Sequence, residues 1–181
     1  VSVELLYVFA DPATQTKRPV PPALRAMVEH FEAGGEMVEL RVGDWATLGR
    51  DATALRTAVF VQEQGIAPEI ELDALDATAV HAVAYNRLGL PVATGRLLQD
   101  APGEARIGRM AVDRVLRGQR WGRMVLDALV QAARARGDAQ VTLHAQCSAE
   151  AFYRRAGFEA VGQPYEEAGI AHITMRRSLQ G

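Results

Sequence analysis

The chain has 181 residues, about the length of one domain, and its 49% apolar and 23% charged residues are ordinary for a globular protein. This composition excludes a disordered chain, a collagen-like repeat and a disulfide-bonded miniprotein. The net charge of −2 gives no global attraction to nucleic acid or an anionic membrane, so neither is expected as a partner. The apolar runs are too short to span a membrane, and the single Cys147 cannot form an internal disulfide. We therefore expect a cytoplasmic protein.

The first 36 residues form a separate group of predicted elements. A strand is predicted from Ser2 to Ala10, followed by a proline-containing loop and a helix that begins at Pro21. The helix has an apolar stripe at i, i+3, i+4 and i+7, formed by Leu24, Met27, Val28 and Phe31. Gly34 ends it. We predict an N-terminal extension over 1–36 and one main domain over 37–181, with the apolar stripe suited to covering a sheet edge or to a homodimer contact.

The first half of the main domain predicts a strand, a helix and a hairpin. Alternating residues indicate a half-buried strand over Met37–Val42, and a helix is predicted over Asp51–Gln62. The acidic segment Glu63–Asp76 contains no lysine or arginine, which favours an irregular, solvated loop. Strands over Ala79–Tyr85 and Val92–Leu98 are joined by a turn and should form an antiparallel hairpin.

Strands and helices alternate in the second half. The predicted elements are a strand at Arg106–Val112, a helix at Gly118–Arg136, a strand at Val141–Ala145, a short helix at Ser148–Ala156, and strands at Phe158–Gly162 and Ile173–Arg176. The strand–helix–strand unit from Arg106 to Ala145 should be a right-handed parallel crossover. A hairpin followed by such a unit predicts an α+β fold with a mixed sheet.

The turn Arg117–Gly122, between a strand and the longest helix, has the character of an anion site. Free backbone N–H groups and the helix dipole favour negative charge there, and Arg114, Arg117 and Arg120 add positive charge. Phosphate is the natural ligand. The alternative is an ordinary tight turn with solvated arginines. The glycine spacing fits neither a P-loop nor a Rossmann fingerprint.

This turn resembles the Arg/Gln-x-x-Gly-x-Gly/Ala pyrophosphate motif of the GNAT acyltransferase superfamily, except that Arg120 replaces the middle glycine. About 30 residues downstream, a second motif of that family, A-x-x-F-Y-x-x-x-G-F, is matched by Ala149, Phe152, Tyr153, Gly157 and Phe158. Four further segments are similar to the ElaA-like branch: Arg56–Gln64, Glu71–Asp76, Leu143–Gln146 and Tyr165–Met175.

The resemblance implies a mixed, mostly antiparallel central sheet flanked by helices, with splayed fourth and fifth core strands. The pantetheine arm of acyl-CoA would lie between those two strands, as an added strand would. Gly122 is expected to lie against the phosphates, where no side chain fits. The residues expected to bind the cofactor, acetyl-CoA, are Met110, Ala111, Val112, Arg117, Gly118, Gln119, Arg120, Trp121, Gly122, Gln146 and Phe152.

The same resemblance implies an N-acetyltransferase that acts on a primary amine of a small molecule or peptide by direct transfer. Tyr153 matches the family's general acid. A base is needed because amines are protonated at neutral pH, and the candidates are Glu63, His144 and His172. Substrate contacts are assigned to Asp73, Asp76 and His81. No metal site is predicted, and Cys147 is interpreted as a bystander beside the cleft.

Two alternatives stay open at this point. The chain could be a non-catalytic acyl-CoA-binding regulatory module, against which an intact Tyr153 argues, since a pure binder needs no acid. It could also use other acyl-CoA or acyl-carrier chemistry, since acyl-homoserine-lactone synthases share the fold. Thiol release from acetyl-CoA in the presence of amines separates the first alternative from the enzyme.

Overall fold

The computed structural model describes residues 8–180. The chain divides into two compact units, with the boundary between Val38 and Glu39. In the first unit, helix α1 (Pro22–Glu32) begins where Pro22 occupies the first turn. Every residue of α1 is at least partly exposed, and Phe31 is 65% exposed. The predicted N-terminal strand lies outside the described residues as far as residue 7; Ala10 forms an isolated bridge with Lys17.

A seven-stranded sheet, in the order β1-β2-β3-β4-β5-β7-β6, forms the centre of the fold. Its strands are β1 (Val38–Gly43), β2 (Val80–Asn86), β3 (Pro91–Ala101), β4 (Glu104–Val112), β5 (Gln140–Gln146), β6 (Glu159–Glu167) and β7 (Ile170–Ser178). The pairs β2–β3, β3–β4, β5–β7 and β6–β7 are antiparallel, and β4–β5 is parallel. The predicted hairpin, the mixed sheet and the α+β class are confirmed.

Helices connect and cover the strands. They are α2 (Trp45–Arg56), which continues as a π-helix (Thr57–Glu63), α3 (Pro68–Glu71), α4 (Trp121–Arg136) and α5 (Glu150–Arg155), with short 3₁₀ turns at Ala74–Thr78, Arg114–Leu116 and Cys147–Ala149. The predicted start of α2 at Asp51 is wrong, because Asp44 accepts a hydrogen bond from the Thr47 N–H (2.9 Å) and caps the helix earlier.

The two long helices cover opposite faces of the sheet. His81 and Tyr85 of β2 face α2, since the His81 ring lies 4.8 Å from that of Trp45 and the Tyr85 hydroxyl donates to Asp51 (2.8 Å). Gly95 of β3 faces α4, where a Cβ would lie 2.8 Å from Leu129 Cδ1. The predicted apolar stripe of α4 is buried at Val125, Leu126, Leu129, Val130 and Ala133, and Trp121 is half-buried.

The acidic segment is not the solvated loop that its composition favours. It folds into α3 and the 3₁₀ turn at Ala74–Thr78, and the side chains of Glu71 and Asp76 are only 3% exposed. Burial of carboxylates requires partners. Arginines from other elements, including Arg56 of α2 and Arg96 of β3, supply them.

Strands β4 and β5 pair only at their beginnings. The parallel register runs from Glu104↔Gln140 to Arg106↔Thr142, although β4 continues to Val112. A bulge follows in β4, where Arg109 and Met110 together lie opposite the single residue Gly95 of β3. Arg109 has φ +53°, a left-handed conformation that is uncommon for a side chain of this kind. The two strands therefore diverge, as the resemblance implies.

Candidate active site

A cavity of about 210 Å³ lies where β4 and β5 separate. Five residues that the sequence assigned to the site line it: Met110, His144, Gln146, Tyr153 and His172. They come from β4, β5, α5 and β7, and the strand register together with the short α5 brings them to one place.

The cavity has walls on both faces of the sheet. Side chains alternate along a strand, so Thr142, His144 and Gln146 share one face, and Gln146 lies opposite His172 of β7. This face is the one that α2 and its π-helical continuation cover. Gln64, the residue that follows the π-helix, accepts a hydrogen bond at Oε1 from Gln146 Nε2 (2.9 Å). Tyr153 comes from the other face.

Helix α5 places Tyr153 beside the start of α4. Arg123 Nη1 donates to the Arg155 carbonyl (3.0 Å), and a Cβ on Gly122 would lie 3.7 Å from the ring of Phe152. The opening between β4 and β5 thus connects Tyr153 on one face with His172 on the other.

Tyr153 is held as a neutral phenol. Its side chain is buried and packs edge-to-face against Phe152 and Phe158, with ring centroids 4.9 and 6.0 Å away. Burial raises the pKa of Tyr153 to about 12. Within residues 8–180 burial is the sole cause of this shift and no hydrogen bond contributes to it, and Tyr153 lines the cavity, so its hydroxyl is available to donate a proton there.

His172 has a defined tautomer. Its Nδ1 lies 2.8 Å from the Ile170 carbonyl, which only accepts, so the ring proton of neutral His172 is on Nδ1. This leaves Nε2 with its lone pair. The ring stacks on Tyr165 at 6.1 Å and 26° and is half-buried.

In His144 it is again Nδ1 that forms hydrogen bonds, here with side chains. His144 Nδ1 lies 2.5 Å from the Tyr165 hydroxyl and 3.4 Å from Thr174 Oγ1. The ring is more exposed than that of His172. Through Tyr165, the two histidines form one continuous polar surface on the α2 face of the sheet.

The Arg117–Gly122 turn lies outside the cavity wall, at the start of α4. The predicted helix start at Gly118 is three residues early, because Gly118 and Arg120 have φ +81° and +66° and α4 begins at Trp121. The N–H groups of the first helical turn have no partner within the helix. Gln119 lies in the same turn, with its Oε1 3.5 Å from Trp121 Nε1.

Glu63 lies at this turn and not in the cavity. Arg117 donates to both of its carboxylate oxygens, each at 2.7 Å, and to the Val112 carbonyl at 3.2 Å. These hydrogen bonds from Arg117 lower the pKa of Glu63. A carboxylate held in this way is a weaker base than a free one, so Glu63 is poorly suited to remove a proton from an amine.

The structure gives a packing reason for glycine at position 122, whereas the sequence suggested close approach of the phosphates. A Cβ there would lie 3.2 Å from Val112 Cγ2, so the missing side chain faces β4 and α5 and not the open side of the turn. The glycine allows α4 to approach β4 closely.

Arg120 occupies a conformation that glycine adopts freely. We expect Arg120→Gly to change the free energy of unfolding by about 1 kcal/mol or less, because relief of the left-handed strain is offset by greater chain entropy. Loss of one exposed charge should raise KM for acetyl-CoA by about fivefold or less. Urea denaturation and steady-state kinetics measure both effects. A hundredfold rise in KM for acetyl-CoA would mean that the arginine side chain itself holds the phosphates.

A largely buried cluster of three arginines and three carboxylates forms part of the cavity wall and extends away from it. We call it the ion cluster; it comprises Arg56, Glu71, Asp73, Asp76, Arg96 and Arg109. Arg56 donates to Glu71 Oε1 (2.5 Å) and Asp76 Oδ1 (2.8 Å), and Arg96 Nη1 donates to Asp73 Oδ1 (2.6 Å). Its formal charges balance.

The ion cluster changes the roles of the predicted substrate contacts. Burial alone would raise the pKa of Asp76, but hydrogen bonds from Arg56 and Arg96 outweigh it and leave that pKa lowered. Both oxygens of Asp76 and of Asp73 accept hydrogen bonds from arginines, and neither residue lines the cavity. Their side chains are therefore not available to an amine.

His81 is likewise a structural residue. It is 1% exposed, and its Nε2 lies 2.9 Å from the Asp76 carbonyl. Burial lowers its pKa, which keeps the ring neutral.

Arg109 is a member of the ion cluster that the sequence did not single out. It lines the cavity, and its guanidinium donates to the carbonyls of Ile70 and Glu71, both at 2.9 Å. These contacts fasten the acidic segment to the bulge in β4. The segment contains acidic residues without any lysine or arginine, and this excess of negative charge was the one indication in the sequence that arginines from elsewhere pair with it.

Two other classes of site are not found in the described part of the chain. Within residues 8–180, no group of three or more His, Cys, Asp or Glu side chains is arranged to hold a metal ion. None of the helices there has the length and apolar character needed to cross a membrane.

Comparisons with known proteins agree with this geometry. Residues 51–179 match the family described as the acetyltransferase (GNAT) domain. A Bacillus subtilis protein named as an uncharacterized N-acetyltransferase, YjcF, is 32% identical over 71% of this chain and 91% of its own.

Two solved structures extend the match to the fold. Escherichia coli ElaA is 31% identical, with a TM-score of 0.71, over 78% of this chain and 100% of its own. An acyl-CoA N-acyltransferase from Pseudomonas aeruginosa is 35% identical, with a TM-score of 0.69, over 78% of this chain and 99% of its own. The chain belongs to the GNAT acetyltransferase family, close to ElaA, and is an N-acetyltransferase that uses an acyl-CoA as its donor.

Proposed function

We propose that the protein transfers an acetyl group from acetyl-CoA directly to a primary amine, through the opening between β4 and β5. One observation carries this proposal: the cavity joins Tyr153, a neutral, buried phenol on one face of the sheet, to His172 Nε2 on the other face, the nitrogen that carries the lone pair in the neutral ring. An acid and a base on opposite sides of one opening suit a reaction in which two substrates meet there.

The donor would enter from the α4 face. The first turn of α4 offers free N–H groups to the pyrophosphate, and Gly118–Arg120 form the loop before it. The pantetheine arm would follow the unpaired part of β4. At the bulge, a backbone N–H of Met110 or Ala111 would donate to the thioester oxygen and stabilise the oxyanion of the tetrahedral intermediate.

The amine would approach from the α2 face. His172 Nε2 takes a proton from the ammonium, and the neutral nitrogen attacks the thioester carbon. The tetrahedral intermediate collapses as the C–S bond breaks, and the leaving thiolate takes the phenolic proton of Tyr153. The attacking nitrogen loses its second proton to solvent as the amide forms. The products are an N-acetylated amine and CoA. Of the two protons that leave the nitrogen, one restores the Tyr153 phenol through solvent and the other, held by His172, is released.

The test of this assignment compares the two histidines. We expect His172→Gln to lower kcat/KM for the amine by roughly 10- to 100-fold, with water replacing part of the base, and to leave KM for acetyl-CoA nearly unchanged. His144→Gln is the matched control, with an expected loss below about tenfold, since its Nδ1 is held by Tyr165. Thiol release over an amine panel measures both. A larger loss in His144→Gln would exchange their roles, and no amine-dependent release by the wild type would favour a regulatory acyl-CoA-binding module.

We further propose that residues 1–36 are an extension outside the catalytic domain, in the cytoplasm. The boundary between the two compact units falls nearby, at Val38, and the family match begins only at residue 51. Removing residues 1–36 should change the affinity for CoA by less than about threefold, because the donor-binding residues all lie beyond them. Titration of CoA by calorimetry measures this. A tenfold loss in a folded truncated protein would show that the extension contributes to the site.

A further inference from the structure

The cavity wall contains more arginines than acidic residues, but its arginines are all paired with carboxylates. Three arginines line the cavity, Arg96, Arg106 and Arg109. Arg96 and Arg109 belong to the ion cluster, where carboxylates neutralise them. Arg106 donates from Nε to both oxygens of Asp100, at 3.1 and 2.8 Å. No arginine of the wall is therefore left to attract a negatively charged substrate.

One charged side chain of the wall has no such partner. Glu167 lines the cavity at the end of β6, and within residues 8–180 no arginine, lysine or histidine forms a salt bridge with it. Glu71, the other acidic residue of the wall, is paired with Arg56. The uncompensated charge at the cavity is consequently negative and belongs to Glu167.

The strand register places Glu167 on the same face as the base. Glu167 lies opposite Ile170 and Tyr165 opposite His172, so alternation brings these side chains to the face that α2 covers. Two residues along the strand and one strand across separate the Cα atoms of Glu167 and His172 by roughly 8 Å. The turn between the strands is tight, with Ala168 at φ +49° and Gly169 at φ +76°.

The wall on this side of the sheet also has an apolar part. Phe60 of the π-helix, Ile66 and Ile70 line the cavity together with Glu167 and His172. An alkyl chain could lie against these three side chains, with one end at His172 and the other at Glu167. Apolar contact of this kind contributes about 0.8 kcal/mol for each methylene buried.

We propose that the acceptor is an aliphatic amine with a second positive charge, and that Glu167 binds that charge. This inference rests on the proposed function, since it names the substrate class of the same site. His172 removes the proton from the reacting nitrogen only, so the distant ammonium keeps its charge and pairs with the Glu167 carboxylate. The acetylated product retains that second ammonium and leaves with CoA as the other product.

The test compares linear diamines with monoamines of equal chain length. The probes are propane-, butane- and pentane-diamine beside propyl-, butyl- and pentylamine. Wild-type kcat/KM should be higher for the diamines by about twofold to fivefold, the size of one partly exposed ion pair. Glu167→Gln should remove most of this preference. Added salt should weaken the preference in the wild type and have little influence on it in the variant.

Glu166→Gln is the matched control. Glu166 lies next to Glu167, carries the same charge, pairs with Ala171 and points to the opposite face of the sheet. This variant should keep the wild-type preference for diamines. The proposal is wrong if Glu167→Gln retains that preference, or if Glu166→Gln loses it equally.

Binding separates this inference from the proposed function. Calorimetric titration of butanediamine and butylamine into the protein saturated with CoA requires no turnover. Tighter binding of the diamine that depends on Glu167 supports the inference, even if no acetyl transfer occurs and the proposed function fails. Acetyl transfer to amines without any diamine preference contradicts the inference and leaves the proposed function in place.

Discussion

Replacing Tyr153 with phenylalanine is expected to lower kcat by roughly 10- to 1,000-fold, because a positioned general acid contributes about 10²- to 10⁴-fold and water substitutes in part. KM for acetyl-CoA should change little. Phenylalanine keeps the edge-to-face packing on Phe152 and Phe158, so the fold should survive. Steady-state kinetics with a good amine acceptor measures the effect, and circular dichroism checks the fold.

The pH dependence provides an independent check on the same residue. Burial raises the pKa of Tyr153 to about 12, so its hydroxyl should stay protonated up to about pH 10. Activity that depends on this proton should therefore fall only above about pH 10. A loss of kcat between pH 7 and 9 that disappears in Tyr153→Phe would contradict this assignment. So would an unaltered kcat in the variant when chemistry is rate-limiting.

Replacing Arg56 with methionine is expected to lower the free energy of unfolding by about 3–5 kcal/mol, the range found when one partner of a buried ion pair is removed. Arg56 is 1% exposed and donates to Glu71 and Asp76. The variant leaves the three carboxylates of the ion cluster with only two arginines, so one buried negative charge is unmatched. Urea denaturation at pH 7 measures the change. The ion cluster also fastens the acidic segment to β4, so the variant should lose activity in parallel with its fold.

Arg50→Met is the control for this experiment. Arg50 lies on the same helix and also forms an ion pair, with Asp51 at 3.2 Å, but its side chain is 94% exposed. We expect a change within about 0.5 kcal/mol, because exposed pairs contribute little. Equal losses in the two variants would show that helix propensity, and not the buried charges, determines the effect at Arg56.

The local pattern of the sequence was sufficient for most of the fold. Alternating apolar residues and a turn defined the β2–β3 hairpin, and an apolar stripe at helical spacing defined α4. The start of α2 was missed although Asp44 and Thr47 form a capping pair, because the residues that follow are polar or small and carry a weak apolar pattern. The bulge at Arg109 was not predicted although Gly108 precedes it, because the left-handed conformation falls on the arginine, a residue that rarely adopts it.

The candidate site was predictable only in part, for a physical reason. A family motif identified Tyr153, and the structure places it in the cavity. The acidic segment was misjudged because its partners are far away in sequence: Glu71 lies 15 positions after Arg56, and Arg96 lies 23 positions after Asp73. Pairing over such distances depends on tertiary structure. In the local sequence it is visible only as an excess of negative charge without a nearby positive partner.

The alternative to direct transfer is a two-step reaction in which Cys147 carries the acetyl group. Cys147 is a free, partly buried thiol in the 3₁₀ turn that follows β5, one residue after Gln146, which lines the cavity. A thiol near the thioester could accept the acetyl group first and pass it to the amine in a second step, which would give ping-pong kinetics.

The most direct test of the account is initial-velocity kinetics with acetyl-CoA and the amine both varied, joined to the intact mass of the protein after incubation with acetyl-CoA alone. Direct transfer through the opening between β4 and β5 predicts intersecting lines in double-reciprocal plots and a protein of unchanged mass. Parallel lines, together with an added acetyl group that disappears in Cys147→Ala, would contradict it.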